Sequence, residues 1–121
     1  MGPRRDAVLI FKICHNAEWR EAEAAGVYHG SAKDRADGFL HFSTAEQLAG
    51  TLARHYADAN DLVLVAVDTD AWGPALKFEP SRGGALFPHL YGALPLSAVK
   101  WTRPIVDGRI PVLTDIQKIE P

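Results

Sequence analysis

The sequence is poor in the residues that hold disulfide-rich and metal-dependent proteins together. Cys14 is the one cysteine among 121 residues, so no disulfide can form within the chain. The five histidines include no pair at the spacing of a zinc site, and a single thiol leaves such a site without its usual ligands. We therefore expect no metal, and we expect a reducing, cytoplasmic setting.

An excess of positive charge and long apolar runs are also missing. Thirteen Lys and Arg residues against fifteen Asp and Glu give a formal net charge of −2. The chain as a whole thus lacks a basic surface for a phosphate backbone, which leaves a nucleic-acid partner undecided and a local anion site open. No stretch approaches the roughly 20 apolar residues of a membrane-spanning helix, so we expect no membrane partner.

Several strong enzyme signatures are absent. The sequence has no Gly-rich phosphate loop and no GxSxG nucleophile elbow. Cys14 lies in an apolar stretch, where a reactive thiolate is disfavoured. These absences argue against the enzyme classes that depend on such motifs.

The composition is that of a folded domain. Hydrophobic residues make up 47% of the chain and charged residues 23%, as in ordinary globular proteins. A chain of this length can bury one core without disulfides or metals. We expect a single domain over residues 1–121, with its core at about 7–113.

The amino-terminal half is predicted to alternate strands and helices. Asn16 can cap a helix that ends at Gly26. Ser43 and Glu46 have the spacing of a capping box, which predicts that a second helix begins there. The predicted elements are strands at 7–14 and 38–42, a helix at 17–25 and a loop at 27–37.

The carboxyl-terminal half is predicted to consist mostly of strands. A near-continuous apolar run at 61–67 indicates a central strand covered on both faces. The other expectations are a half-exposed strand at 76–79, a mobile loop at 81–84, a turn at 95–98, and edge strands at 99–103 and 105–112 interrupted by Pro104 and Pro111. This order indicates an α+β fold with mixed β-sheets and two or three helices near the amino-terminal half.

Two segments combine a histidine with a second polar side chain. Strand alternation places His41 and Ser43 on one face beside a helix start, which suits an anionic or hydroxyl-rich ligand. The alternative is that Ser43 only caps the helix and His41 is a partnered structural histidine. His89 and Tyr91 would share a face of an extended segment and could bind a flat ring; the alternative is a turn in which the Tyr91 hydroxyl bonds to the backbone.

A third group of charged residues lies near a strand end. Glu79 could stabilise positive charge at a reacting carbon, and Arg82 in the following loop could hold a phosphate. A solvated strand end is the alternative. Asp34 and Asp37 are interpreted as turn residues with no further role.

Four segments together resemble a known family. They are Phe11-Lys-Ile13, Tyr28-His-Gly-Ser31, Asp37-Gly-Phe-Leu-His-Phe-Ser-Thr-Ala45 and Phe87-Pro-His-Leu-Tyr-Gly92. The chain resembles domain-of-unknown-function family 952, a group of small bacterial proteins, from about residue 8 to residue 99.

A His-x-Ser strand opens a helix at His41-Phe-Ser43, and an apolar strand that ends in Val-Asp follows from Leu62 to Asp68. In these two features the family resembles in turn the ADP-ribosyltransferase superfamily, which includes RNA 2′-phosphotransferases. The resemblance implies a split β-sheet around a cleft for NAD as co-substrate, with His41 and Ser43 holding the nicotinamide-side ribose or amide. Aromatic stacking and acid or base positions would fall on Tyr91, His89 or Glu79. The first strand departs from the superfamily pattern of His or Arg followed by Gly-Thr, and only Lys12 or nearby His15 could substitute.

Two hypotheses follow. The first is an enzyme that transfers an ADP-ribosyl group or a 2′-phosphate and binds a nucleotide-like small molecule. The second is a non-catalytic small-ligand-binding or protein-interaction module on the same fold. The predicted catalytic residues are His89, His41 and Glu79, and the predicted ligand-binding residues are Ser43, Tyr91, Lys12, Ser31 and Arg82.

Overall fold

A computed structural model describes residues 8–111, without the side chains of Ala71 and Arg82. The expected domain limits and the predicted strand ends at 7 and 112 lie outside the described residues. The α-helices are α1 (Asn16–Ala25), α2 (Ala32–Asp37) and α3 (Leu48–His55). The strands are β1 (Leu9–His15), β2 (Val27–Tyr28), β3 (Leu40–His41), β4 (Leu62–Asp68), β5 (Leu76–Pro80), β6 (Leu86–Leu90), β7 (Leu94–Pro95) and β8 (Val99–Ile105).

Short 3₁₀ turns complete the described chain. They cover Ala45–Gln47, Thr69–Ala71, Gly73–Ala75, Arg82–Gly84 and Leu96–Ala98. No helix within residues 8–111 is long and apolar enough to cross a bilayer. The three α-helices all fall in the first half of the chain, as the sequence predicted.

The core is built around an antiparallel sheet with the order β1-β4-β8. β4 lies in its middle, and six of its seven residues are buried, which confirms the central strand expected from the apolar run. Because successive side chains point to opposite faces, Val63, Val65 and Val67 enter one hydrophobic cluster and Leu62, Leu64 and Ala66 enter another. The sheet therefore separates two apolar layers.

Different elements cover the two faces of this sheet. Trp19 of α1, Leu90 of β6 and Leu94 of β7 belong to the first cluster. Leu48 and Leu52 of α3 belong to the second. The apolar side of α3 therefore packs on the central sheet.

The remaining strands form two small sheets, β3-β6-β5 and β2-β7. Every ladder within residues 8–111 is antiparallel, so the expectation of mixed sheets was wrong. Parallel sheets need crossover connections and helices on both faces. The three short α-helices within residues 8–111 cannot provide that cover for the three sheets described there.

The chain passes from one sheet to another directly after β3. The Phe42 amide donates to the Pro88 carbonyl at 3.0 Å, so this residue still follows β6. Ser43 instead exchanges two backbone hydrogen bonds of 2.8 Å with Phe11 of β1. This crossing fixes the backbone of residues 41–43 between the two sheets.

Local details differ from the expectations in the first half of the chain. The predicted loop at 27–37 contains β2 and α2, and α2 begins because Ser31 and Asp34 form a capping box. His15, not Asn16, is the cap residue of α1. The side chain of Asn16 is used elsewhere, because its Nδ2 donates to Asp61 Oδ1 at 2.9 Å. Gly26, with a φ of 83°, ends α1 as predicted.

Two further corrections concern α3 and β8. The capping box before α3 is formed by Thr44 and Gln47, one residue later than predicted, because the Ser43 backbone is held in the bridge to Phe11. β8 continues through Pro104 without interruption, which an edge strand tolerates because its outer side needs no N–H donor.

The position of the capping box gives a test. Gln47 Oε1 accepts from the Thr44 amide at 3.0 Å, and its Nε2 donates to the Leu86 carbonyl at 2.7 Å. We expect Gln47→Ala to lower the free energy of unfolding by about 1 kcal/mol, measured by urea denaturation. Glu46→Ala is the matched control and should stay within about 0.5 kcal/mol. If Glu46→Ala lost more stability than Gln47→Ala, the capping box would instead be the one predicted from Ser43 and Glu46.

Candidate functional site

A cleft of about 410 Å³ lies between the β3–β6 surface and one side of α3. It has the size of a small-molecule pocket, roughly 300–1,000 Å³. Three of the predicted site residues, His41, Ser43 and His89, line it together. The residues of α3 that face them include Thr51 and Arg54.

The register of the small sheet brings the two histidines together. β3 and β6 are antiparallel, and His41 is directly opposite His89. The ring centroids lie 5.5 Å apart in an edge-to-face arrangement. Directly paired residues project from the same side of a sheet, so the two rings are neighbours although 47 residues separate them in the chain.

A buried ion pair lies beneath His41. Lys12 is 5% exposed although it belongs to the strand that carries Ile10 and Cys14 into the core. Its ammonium lies 2.9 Å from Asp34 Oδ2 and also donates to the His41 carbonyl at 2.9 Å. Lys12 therefore supports the cleft from below and does not line it.

Asp34 gathers donors from several elements. Its carboxylate accepts from His41 Nδ1 at 2.6 Å, from the His41 amide at 3.1 Å and from the Ser31 amide at 2.9 Å. Burial alone would raise the pKa of Asp34, but the hydrogen bond from His41 and the Lys12 ammonium outweigh it and hold that pKa well below its usual range. The carboxyl group is thus a permanent anion, and the interpretation of Asp34 as a plain turn residue was wrong.

Gly30 makes room for this carboxylate. Its φ is +107°, and a Cβ at this position would lie 2.8 Å from both Asp34 Cβ and Leu40 Cδ2. Real Cβ atoms do not approach other atoms so closely, and the left-handed backbone also disfavours a side chain. Any larger residue would push Asp34 away from Lys12.

Both ring nitrogens of His41 face carboxylates. Nδ1 contacts Asp34, and Nε2 lies 2.9 Å from Asp37 Oδ2. A carboxylate oxygen can only accept, so the two contacts together require a proton on each nitrogen. Lys33 approaches the same Asp37 oxygen at 3.2 Å. Asp37 therefore contacts two side chains of the site, Lys33 and His41, whereas the sequence predicted only a turn residue with no further role.

His89 is arranged differently. Its Nδ1 lies 2.8 Å from Glu79 Oε1, and the Tyr91 hydroxyl donates to the same oxygen at 2.8 Å. These two bonds lower the pKa of Glu79, and the bond to Glu79 raises the pKa of Tyr91. The other ring nitrogen, Nε2, is buried and has no partner among the described residues.

Phe39 covers the two histidines. Its ring stacks on His89 at 4.1 Å with an interplanar angle of 25°, and it lies 4.7 Å from the His41 ring and 5.1 Å from the Tyr91 ring. The sequence interpretation did not single out Phe39. The signal was its place two residues before His41, which puts both side chains on one face of an extended segment.

Ser43 is a buried hydroxyl within the cleft. Its Oγ lies 2.8 Å from Thr51 Oγ1 of α3, and its side chain makes no cap for the helix. The alternative in which Ser43 only caps a helix was therefore wrong. The two hydroxyls connect the wall formed by β3 to the wall formed by α3.

The other predicted residues lie around this arrangement. Glu79 contacts His89 from outside the cleft, and the Tyr91 hydroxyl bonds to Glu79 rather than to the backbone, contrary to the turn alternative. Ser31 caps α2 and lines a second cavity of about 420 Å³. The side chain of Arg82 is outside what the structure describes.

Two expectations about cysteine and metals can be compared with the structure. Burial raises the pKa of Cys14 to about 11, which agrees with the expected inert thiol. Within residues 8–111, no group of three or more His, Cys, Asp or Glu side chains is placed to hold a metal ion.

Comparison with known proteins assigns the family. The family model described as "Protein of unknown function (DUF952)" matches residues 13–102. The chain belongs to the DUF952 family. This match confirms the first resemblance seen in the sequence. No curated protein matches this DUF952 chain.

Solved structures of a related protein share the fold of this DUF952 chain. The crystal structure of CC0527 from Caulobacter crescentus is 43% identical, with a TM-score of 0.80, and the alignment covers 92% of the DUF952 chain and 99% of that protein. The solution NMR structure of CC0527 is 46% identical, with a TM-score of 0.76, over 89% and 95% of the two chains. The DUF952 protein thus has an experimentally determined structural counterpart.

The buried ion pair predicts a large and specific loss of stability. Lys12→Met would leave the Asp34 carboxylate without its ammonium, and breaking one partner of a buried pair costs about 3–5 kcal/mol. We expect a loss in this range by urea denaturation, with part of it recovered in the Lys12→Met/Asp34→Asn double variant. Lys33→Met removes an exposed ion pair and should cost less than about 1 kcal/mol. Equal losses in the two lysine variants would contradict the assignment.

Asp34 also predicts a dependence of stability on pH. Its pKa is depressed in the folded protein, so its contribution is present above the unfolded value of about 3.9 and is lost as the pH falls below it. We expect the free energy of unfolding of Asp34→Asn to be lower at pH 7 and to change less between about pH 4 and pH 2. Asp58→Asn, at an exposed position, should keep the wild-type slope; an unchanged slope in Asp34→Asn would contradict the prediction.

Proposed function

We propose that the cleft binds NAD or a related ADP-ribose nucleotide, and that the protein transfers an ADP-ribosyl group or uses the nucleotide in 2′-phosphate transfer. The observation that carries the proposal is the convergence of His41, Ser43 and His89 on one cleft of about 410 Å³. The resemblance to the ADP-ribosyltransferase superfamily supplies the ligand class. The family and its solved relatives leave the activity open.

The proposed reaction requires a defined set of groups. The bond between ribose C1′ and the nicotinamide nitrogen breaks, and its electron pair leaves with nicotinamide. A bond forms between C1′ and an acceptor oxygen. When the acceptor is water or a hydroxyl, its proton passes to a base; a 2′-phosphate attacks through an anionic oxygen that has no proton to lose. Such a site must orient the nucleotide and stabilise the positive charge that develops on the ribose.

His89 is the proposed base. Donation from its Nδ1 to Glu79 leaves Nε2 as the nitrogen with a free lone pair, which is the acceptor that a general base needs. Because this atom is buried, a ligand hydroxyl reaches it only when a neighbouring side chain moves. The half-buried Phe39 ring stacked on His89 is the neighbour we assign to that movement.

Glu79 is then a positioning residue. Its Oε1 accepts from both His89 and Tyr91, so it fixes the tautomer and orientation of the imidazole as second partners of catalytic histidines do. It does not touch the cleft itself. This replaces its predicted role at the reacting carbon, and Tyr91 becomes the residue that holds Glu79.

The remaining lining residues suit a nucleotide. The Ser43 and Thr51 hydroxyls can exchange hydrogen bonds with ribose, and the Phe39 and Phe87 rings offer apolar surface to a flat base. Lys33, Arg54 and His41 are the positive groups of the cleft wall. Phosphate is attracted to such a group of cations even in a protein whose net charge is negative.

A second candidate is a module that binds the same nucleotide without transforming it. The observation in its favour is that the Glu79 carboxylate is engaged by two hydrogen bonds outside the cleft. The carboxylates that do line the cleft are Asp37 and Glu46, and Asp37 is paired with His41 and Lys33. In this case binding would occur with no release of nicotinamide.

Ligand binding is tested by NMR. We expect NAD or ADP-ribose, added to ¹⁵N-labelled protein, to shift the amide resonances around His41, Ser43 and His89. The amides around His29, which lies outside the cleft, serve as the internal reference. If neither nucleotide moved the resonances around His41 and His89, the proposed function would be abandoned.

Catalysis is tested by nicotinamide release from NAD, with water or a 2′-phosphorylated RNA oligonucleotide as acceptor. With water as acceptor, His89→Gln should lower the rate by about 10²–10⁴-fold, because a general base is lost. His29→Gln is the matched control and should keep the wild-type rate, and circular dichroism should show both variants folded. Binding of NAD with no nicotinamide release by the wild type would favour the non-catalytic module.

A further inference from the structure

We propose that Lys33 and His41 form a phosphate subsite at the edge of the cleft, which the protein fills with the carboxylate of Asp37. The ligand group would be the pyrophosphate of a dinucleotide. The identity of that dinucleotide rests on the proposed function, whereas the anion subsite stands on the contacts themselves.

The subsite consists of two cationic groups that share one oxygen. Asp37 Oδ2 lies 2.9 Å from His41 Nε2 and 3.2 Å from Lys33 Nζ. The Lys33 ammonium lowers the pKa of Asp37, so the carboxylate is an anion held between two donors. Lys33, Asp37 and His41 all line the cleft.

The two aspartates that hold His41 differ in exposure. The side chain of Asp34 is 2% exposed and accepts from Lys12, Ser31 and His41. The side chain of Asp37 is 37% exposed, and it contacts the exposed Lys33 and the partly exposed His41. A rotamer change releases Asp37 into water, while Asp34 keeps the imidazole in place.

The place of Asp37 in the helix explains one of its two contacts. Lys33 lies four residues earlier in α2, so their ion pair follows from helical spacing, although this is the weaker order for such a pair. Asp37 is also the last residue of α2, where a negative charge meets the negative end of the helix dipole. The contact with His41 of β3 comes from outside the helix, and it draws the carboxylate towards the cleft.

A phosphate group would suit the same donors better than the carboxylate does. It carries more negative charge and more acceptor oxygens, and charge-assisted hydrogen bonds to such groups are strong. Arg54 also lines this cleft and has no ion-pair partner within residues 8–111. Once Asp37 has turned away, three positive groups are available to the pyrophosphate.

This arrangement divides the cleft between the parts of the nucleotide. His41 would contact the pyrophosphate through Nε2, since its Nδ1 is committed to Asp34. Ser43 and His89 would remain for the ribose. The resemblance to the superfamily had instead assigned His41 to the ribose or amide on the nicotinamide side.

The test uses inorganic pyrophosphate, titrated by NMR and calorimetry into four proteins at one low salt concentration. Asp37→Asn removes the competing anion and should tighten pyrophosphate binding by about threefold to fivefold, the range of an exposed ion pair. Lys33→Gln should weaken binding by a similar factor. Asp58→Asn makes the same charge change outside the cleft and should leave the affinity near that of the wild type.

The site of binding is read from the same titrations. Pyrophosphate should shift the His41 side-chain nitrogen Nε2 in the wild type and more strongly in Asp37→Asn. Equal affinities in Asp37→Asn and Asp58→Asn, or shifts confined to residues away from His41, would overturn the proposal. If Asp37→Asn failed to fold by circular dichroism, an unchanged affinity in Lys33→Gln would overturn it by itself.

The outcome separates this inference from the proposed function. Pyrophosphate binding at His41 without any response to NAD would retain the anion subsite and reject the dinucleotide. Binding of NAD with equal affinity in Asp37→Asn and wild type would retain the nucleotide and reject the displacement of Asp37.

Discussion

The ion pair between Lys12 and Asp34 is the contact on which the candidate site depends. It joins the central sheet to α2, and through the hydrogen bonds from His41 it also holds β3. A buried pair of this kind contributes little net stability compared with apolar residues of the same volume. The ion pair instead fixes the position of the Asp34 carboxylate, which in turn fixes the orientation of the His41 imidazole. The close packing at Gly30 keeps that carboxylate in place.

The two histidines that share the cleft are held in opposite ways. His41 meets a carboxylate at each nitrogen, whereas His89 meets one carboxylate and has a buried nitrogen without a partner. The first arrangement favours a charged ring that donates, and the second favours a neutral ring that accepts. Such pairs of titratable groups in contrasting environments are typical of sites that bind or transform a ligand.

Local patterns in the sequence were enough to predict much of this structure. The apolar run of β4 and the end of α1 at Gly26 follow from short-range spacing, whereas His41 and His89 are brought together by the register of β3 and β6, which no local pattern predicts. The predicted capping box lay one residue too early, because Ser43 and Thr44 can both act as the cap residue. Glu46 and Gln47 can likewise both accept the hydrogen bond from the cap residue's amide. Asp34 was missed because its importance comes from Lys12, 22 residues away. The signal was a lysine inside an otherwise apolar strand, which requires a counter-charge from elsewhere in the chain.

The order of the central sheet has a consequence for folding kinetics. β1 pairs with β4, which joins Leu9 to Asp68, and β4 pairs with β8, which joins Leu62 to Ile105. Because contacts so distant along the chain require large loops to close first, such topologies refold in milliseconds to seconds rather than microseconds. Ser43 bridges to Phe11 of β1, so the cleft is completed only after β1 has its place in the sheet.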